Sequence, residues 1–110
     1  MKQRDIYLAD LNPTLGQEQK GTRPVVIISG NAMNDHLKVS IICPLTSKIK
    51  KYAGCVVLAK DEVNNLSQDS EIITFQVRTV AQERLIRKIG EITEEQLERV
   101  KTGLVEILSY

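Results

Sequence analysis

This 110-residue chain has one histidine, His36, two cysteines, one phenylalanine and no tryptophan. A single histidine excludes, within one chain, the two-histidine acid–base arrangement for RNA cleavage. Two cysteines with one histidine cannot build a structural zinc site, which takes four ligands. Cys43 and Cys55 both sit in apolar strand-like runs and read as buried, reduced thiols, with a disulfide as the alternative. No apolar run approaches the ~18 residues of a membrane span. Met1-Lys2-Gln3-Arg4-Asp5 leads straight into a strand pattern without the features of a signal peptide, so the expected location is the cytoplasm, away from membranes. Also missing are a Gly-rich phosphate loop, a Ser-His-Asp signature and any His/Asp/Glu cluster with metal-ligand spacing. Catalysis, if there is any, must use arginine, hydroxyls, amides or carboxylates.

What is present suits one domain, residues 1–110, with 42% hydrophobic residues to build a core. The net charge of +1 says nothing about partners, but its distribution is uneven. Residues 1–52 carry eight Lys/Arg and four Asp/Glu, giving +4, and residues 53–110 carry seven and ten, giving −3. A basic first half permits a local phosphate-binding face, although ordinary solvated surface explains the count equally simply.

Hydrophobic periodicity sets out the elements. Ile6, Leu8 and Leu11 fit a half-buried strand over 5–11, ended by the turn signal Asn12-Pro13. Pro24 to Ser29 is a continuous apolar run, a fully buried strand whose proline belongs at its first position. Gly30 to His36 is a polar connection with His36 at the surface. Val39 to Cys43 is a strand closed by Pro44, and Gly54 to Ala59 is another. Asp61 to Ser70 is a surface connection rich in Asn, Asp and Ser. Ile72-Ile73-Thr74-Phe75 is a strand that 76–80 continues or leaves, and 85–92 holds a last short strand with Gly90 as a bulge or end. Thr93-Glu94-Glu95-Gln96 matches a capping box, after which Leu97, Val100, Leu104, Ile107 and Leu108 recur at helical spacing. Gly103, inside that helix, predicts close backbone packing. Short strands followed by one packing helix suggest a small barrel whose loops carry function.

Arg23 is the most constrained charge in the chain. Pro24 forces it toward an extended backbone, and its guanidinium stays protonated and presents a planar fork of donors. A phosphate or carboxylate fits such a group, and a salt bridge to a carboxylate such as Glu18 is the structural alternative. Thr46 and Ser47 follow the Pro44 strand end and precede Lys48, Lys50, Lys51 and Tyr52. Hydroxyls beside lysines and a tyrosine make a phosphate-plus-base platform, or a solvated basic loop. Gln76 and Arg78 can reach nucleobase edges, or cap a strand end.

Four blocks in order make these pieces resemble the MazF/PemK family of toxin endoribonucleases across essentially the whole chain. They are the run from Asp5 to Thr14, Gly16-Gln17-Glu18-Gln19 with Gly21 to Ser29, Pro44-Leu45-Thr46-Ser47, and Gln76-Val77-Arg78-Thr79. The resemblance implies an SH3-like β-barrel with a C-terminal α-helix, mainly β with α, acting as a homodimer. It implies cleavage of single-stranded RNA at short sequences with no metal or other cofactor. It also implies a cognate antitoxin whose flexible tail covers the active site, with operator DNA met only indirectly through that antitoxin. The family's catalytic arginine and threonine match Arg23 and Thr46. The flanking loops bring forward Asn12, Leu15, Glu18, Gln19, Ser47, Lys48, Tyr52, Gln76 and Arg78 as RNA-binding candidates. One departure is visible, because Arg4 stands where the family has glycine, which questions the shape of the first turn.

The chemistry agrees with the resemblance. Metal-free cleavage can use the 2′-OH as nucleophile, leaving a 2′,3′-cyclic phosphate and a 5′-OH. Arg23 can stabilise the developing charge and Thr46 can donate to a nonbridging oxygen. Arginine is a poor base, and Glu18 is a candidate for that role. Two other classes remain open. Gyrase-directed toxins of the same fold tend to lack the arginine–threonine pair present here. A non-catalytic SH3-like module would need an aromatic-lined groove, and aromatics are only 4% of this chain.

Overall fold

The apolar runs of 5–11, 24–29 and 39–46 become neighbouring antiparallel strands, and the remaining elements are built around them. The structure, a computed structural model, describes residues 1–109 apart from Thr14, Gln17, Gln19 and Lys20. The strands are β1 (Asp5–Asp10), β2 (Thr22–Ile27), β3 (Val39–Thr46), β4 (Val56–Leu58), β5 (Ser70–Ile72), β6 (Arg78–Ala81) and β7 (Leu85–Glu91). The helices are α1 (Asn31–His36) and α2 (Glu94–Ser109), with 3₁₀ turns at Thr74–Gln76 and Gln82–Arg84. The sheet order is β4-β5-β3-β2-β1-β7, with β6 also paired to β3. This is the barrel-like fold with a C-terminal helix that the sequence led us to expect, left open between the edge strands β4 and β7.

The central strands bury both faces, which explains why their sequences run apolar without alternation. On one face Ile6, Val26, Cys43 and Leu45 meet Val56, Leu58 and Ile72, roofed by Leu97 and Val100 of α2. On the other, Ala9, Leu11, Val25, Ile27, Ile42 and Val80 form a second cluster edged by Tyr7 and Leu85. Each large apolar side chain so buried contributes about 1.5–3 kcal/mol.

The capping box forms as read. Gln96 N–H donates to Thr93 Oγ1 at 3.1 Å, and Thr93 N–H donates to Gln96 Oε1 at 2.9 Å. Leu97 and Val100 are buried, whereas Leu108 lies outside the inward stripe and is 84% exposed. Gly90 pairs with Ile6 beside a register shift, so it does sit at a bulge. Gly30 to His36 is a connection only in part. Residues 31–36 form α1, whose Asn34 is buried and accepts hydroxyl bonds from Ser29 and Ser40 at Oδ1. A six-residue helix without an apolar stripe leaves no periodic signal to read.

Pro44 does not end β3. The strand runs on to Thr46, and Pro44 pairs with Val25 of β2. Within a strand a residue's N–H and C=O face the same edge. The Pro44 carbonyl accepts from Ile73 N–H at 2.9 Å, so the missing N–H faces the β5–β6 side. There the partner chain leaves the ladder. β5 pairs with Leu45 and Thr46, β6 pairs with residues 39–42 of β3, and the 3₁₀ turn bridges the gap between them. The proline's cost falls on its neighbour: of the expected strand 72–75 only Ile72 is in β5, and Thr74 and Phe75 are in the 3₁₀ turn.

Arg4 has a positive φ of 82°, the left-handed region that favours glycine, so the first turn has a shape a glycine would suit. Its N–H donates to the Ile27 carbonyl at 2.8 Å, and its carbonyl accepts from Ile92 N–H at 2.9 Å. The guanidinium Nη1 reaches the Ile92 carbonyl at 3.1 Å. Those bonds hold a conformation that costs an L-residue about 1–2 kcal/mol.

Gly103 is where α2 crosses the turn before β4. A Cβ there would stand 1.9 Å from the Gly54 carbonyl oxygen. Gly103→Ala is therefore expected to lose more than about 2 kcal/mol of stability in urea unfolding, outweighing its gain in helix propensity. Arg4→Gly trades strain relief against a lost hydrogen bond and a freer unfolded chain, and should stay within about 1 kcal/mol of the parent. Arg4→Ala keeps the strain and loses the bond, and should fall by about 1–2 kcal/mol in the same measurement.

Candidate active site

β2 and β3 pair as Val25 with Pro44, Val26 with Cys43 and Ile27 with Ile42. Arg23 and Thr46 lie two residues beyond the Val25–Pro44 pair along their strands, so their side chains share its face of the sheet. Arg23 in turn pairs with Ala9 of β1, and Thr46 pairs with Glu71 of β5. Residues directly opposite on antiparallel strands put their side chains on one face, with Cβ atoms about 4.5–5.5 Å apart. Arginine, threonine and glutamate thus form one row across β2, β3 and β5.

Arg23 and Thr46 open into a cavity of about 250 Å³ lined also by Lys48, Lys50, Tyr52, Ile73, Phe75 and Gln76, whereas Glu71 stays buried behind it. A second, of about 190 Å³, shares Phe75 and Gln76 and is lined also by Glu18, Val77 and Arg78. A larger cleft of about 630 Å³ includes Arg23 and Ser47 with Arg87 and Lys88. Of the sequence candidates, Arg23, Thr46, Lys48, Tyr52 and Gln76 share the first cavity, Glu18 and Arg78 join through the second, and Ser47 faces the cleft.

The polar geometry gives several of these groups distinct settings. Thr46 is buried, and its Oγ1 accepts Lys48 N–H at 3.2 Å, which orients the hydroxyl and leaves its own proton to donate. Arg78 Nη1 is buried with no hydrogen-bond partner. Arg78 also lines the second cavity. Tyr52 and Phe75 meet edge to face, ring centroids 5.3 Å apart at 88°, and each is 48% exposed. That leaves ring surface free for stacking.

Asn12 and Leu15 stand apart from these cavities. Asn12 closes the base of the loop. Its Oδ1 accepts Gly21 N–H at 3.1 Å, and Leu11 N–H donates to the Gly21 carbonyl at 3.0 Å. Arg84 Nη1 donates to the carbonyls of both Asp10 and Asn12. Leu15 is 81% exposed, and Glu18 accepts Leu15 N–H at 2.7 Å. Gln19 lies outside the described residues.

The sequence reading missed Phe75 and Glu71. Phe75 reads as the last residue of a strand, and the missing N–H of Pro44 is the clue that the chain turns outward there. Glu71 is fully buried, and a charge opening an apolar run was its one signal. Its carboxylate accepts the N–H groups of Lys50 and Lys51 at Oε1, 2.8 and 3.2 Å, and of Tyr52 at Oε2, 3.0 Å. Among the described residues no three His, Cys, Asp or Glu side chains gather where they could hold a metal ion.

A family model described as PemK-like, MazF-like toxin of type II toxin-antitoxin system matches residues 2–108. Endoribonuclease EndoA of Bacillus subtilis (strain 168) is 32% identical over 105 residues, spanning 94% of this chain and 90% of that protein. Among solved structures, Mycobacterium tuberculosis toxin MazF-mt6 aligns with a TM-score of 0.80 at 24% identity, covering 96% of each chain. An endoribonuclease from Mycobacterial species, solved in complex with its cognate antitoxin, also gives 0.80, at 20% identity over 98% of this chain and 94% of that one. At these identities the structural matches speak for the fold.

Neither thiol is in a disulfide, as read from the sequence; Cys43 is buried, whereas Cys55, expected to be buried, is only partly so. Burial, and secondarily the nearby Cys55, pushes the Cys43 thiol from 9.0 up to about 12. An unfolded thiol loses its proton above about pH 9 while the folded one keeps it, so unfolding releases a proton in that window. Stability should be unaffected by this group below pH 9 and should fall between pH 9 and about 12. Urea titrations at pH 8, 9.5 and 10.5 should show a decline of about 1.4 kcal/mol per pH unit beyond that of Cys43→Ala.

Proposed function

The chain belongs to the PemK-like, MazF-like toxin family of type II toxin–antitoxin systems, and from that premise we propose that it is a metal-independent endoribonuclease that cuts single-stranded RNA at short sequences. The observation that carries this reading is that Arg23 and Thr46, from neighbouring strands, line one cavity.

In the proposed reaction the 2′-oxygen attacks the adjacent phosphorus while the bond from phosphorus to the 5′-oxygen breaks. The 2′-OH proton passes to a base and a proton is delivered to the departing 5′-oxygen, leaving a 2′,3′-cyclic phosphate and a 5′-OH. Arg23 offsets the charge that builds on the phosphoryl oxygens, and the free Thr46 hydroxyl proton is donated to one of them. Glu18 is the one carboxylate lining the two joined cavities among the described residues, and it is our candidate base. Arg78 and Gln76 supply donors to the bound strand, Tyr52 and Phe75 stack with bases, and Ser47, Lys48 and Lys50 meet the backbone. DNA lacks the nucleophile and would not react.

Around this site we place a cognate antitoxin whose flexible tail covers the cavity, contact with operator DNA only through that antitoxin, and action in the cytoplasm. A homodimer is part of the same reading. Val105 and Leu108 stay 64% and 84% exposed on α2, apolar surface that one core does not use.

Purified protein in EDTA should cleave varied single-stranded RNA and leave 5′-OH ends, while matching DNA stays intact. Arg23→Ala and Thr46→Val should each slow cleavage by about 10²–10³ while shifting the urea midpoint little. Intact RNA across varied sequences, or full activity in Arg23→Ala, would overturn the reading.

A further inference from the structure

A buried carboxylate persists only when its oxygens are met. Glu71 has 0% exposure and takes three successive backbone N–H groups, those of Lys50, Lys51 and Tyr52. Lys51 sits at φ 57°, the left-handed turn that makes successive N–H groups converge. Such a concavity ordinarily captures the anion of a ligand, and here the protein's own carboxylate fills it. Lys48, Lys50, Lys51 and Tyr52 are all exposed, so this loop has little packing of its own to hold it. Glu71 comes from the strand beside Thr46, so it ties the loop to the same row that carries Arg23 and Thr46.

We propose that Glu71 is a positioning residue for RNA. Through the three backbone bonds it holds the β3–β4 loop so that Lys48, Lys50 and the Tyr52–Phe75 corner face the substrate before it arrives. The inference rests on the nuclease reading above. Side chains already placed need not be ordered on binding, so the advantage is realised in affinity. In that reading the groups held by the loop meet bases and backbone, while Arg23 and Thr46 meet the phosphoryl oxygens whose charge changes. They serve ground state and transition state alike, which raises KM when lost and leaves kcat alone.

The test uses the full chain, with amide exchange followed by NMR and kinetics on a short RNA whose cleavage site has been mapped. In the parent protein the amides of Lys50, Lys51 and Tyr52 should exchange at least about tenfold more slowly than an unstructured loop, despite their exposure. Glu71→Gln keeps the volume, and Glu71→Val suits a buried strand. Both should lose that protection and raise KM about tenfold, with kcat within about threefold. In a Lys48→Ala/Tyr52→Ala background, Glu71→Gln should change KM by less than about twofold, because it acts through those side chains. Unprotected amides in the parent, an unchanged KM once protection is lost, or a fall in kcat alone would each overturn the proposal while leaving the nuclease reading intact. A parent protein that cuts no RNA overturns the nuclease reading itself, and the role toward RNA falls with it.

Discussion

The register between β2 and β3 is the constraint on which the site depends. It puts Arg23 and Thr46 on one face, two residues beyond the Val25–Pro44 pair, and Thr46 pairs in turn with Glu71. A slip of one residue would turn Arg23 to the opposite face of the sheet and separate the pair. The register is defended from both sides, because these strands bury apolar residues on each face. Val26 and Cys43 must enter one cluster while Val25, Ile27 and Ile42 enter the other. Core packing thereby sets the geometry of polar groups at the strand ends, where no apolar contact could do so directly.

Loops complete what the strands begin, and each is tied down by specific polar bonds. The loop before β2 is closed at its base by Asn12, Gly21 and the Arg84 guanidinium. The loop after β3 is held by the Glu71 carboxylate. The turn after β5 exists because Pro44 offers no donor on that edge, and it carries Phe75 and Gln76 outward to the cavity. A small domain can in this way hold a preorganised polar site without dedicating a second layer of structure to it.

Much of this was legible in one dimension. The helix start at Thr93, the close packing at Gly103, the buried Cys43 thiol and the constrained Arg23 all follow from rules that act over a few residues. Where sequence reading failed, the cause lay in a neighbour distant along the chain. Pro44 read as a strand end because its own missing N–H was considered, and the effect appeared on the strand beside it. Phe75 read as strand for the same reason. Leu108 fits the helical period, yet the surface that α2 covers stops short of it.

The sequence alone determined which residues could do chemistry. A single histidine and the absence of metal-ligand spacing left arginine, hydroxyls and carboxylates, and the four motif blocks marked Arg23 and Thr46. Local steric and hydrogen-bonding rules suffice for such statements, because each concerns a residue and its immediate chain neighbours. Only the tertiary structure decided that Arg23, Thr46 and Glu71 share a row, that Arg4 has a backbone that favours glycine, and that a buried carboxylate holds the basic loop. Strand register and burial depend on which distant segments pair, and pairing is a property of the whole core.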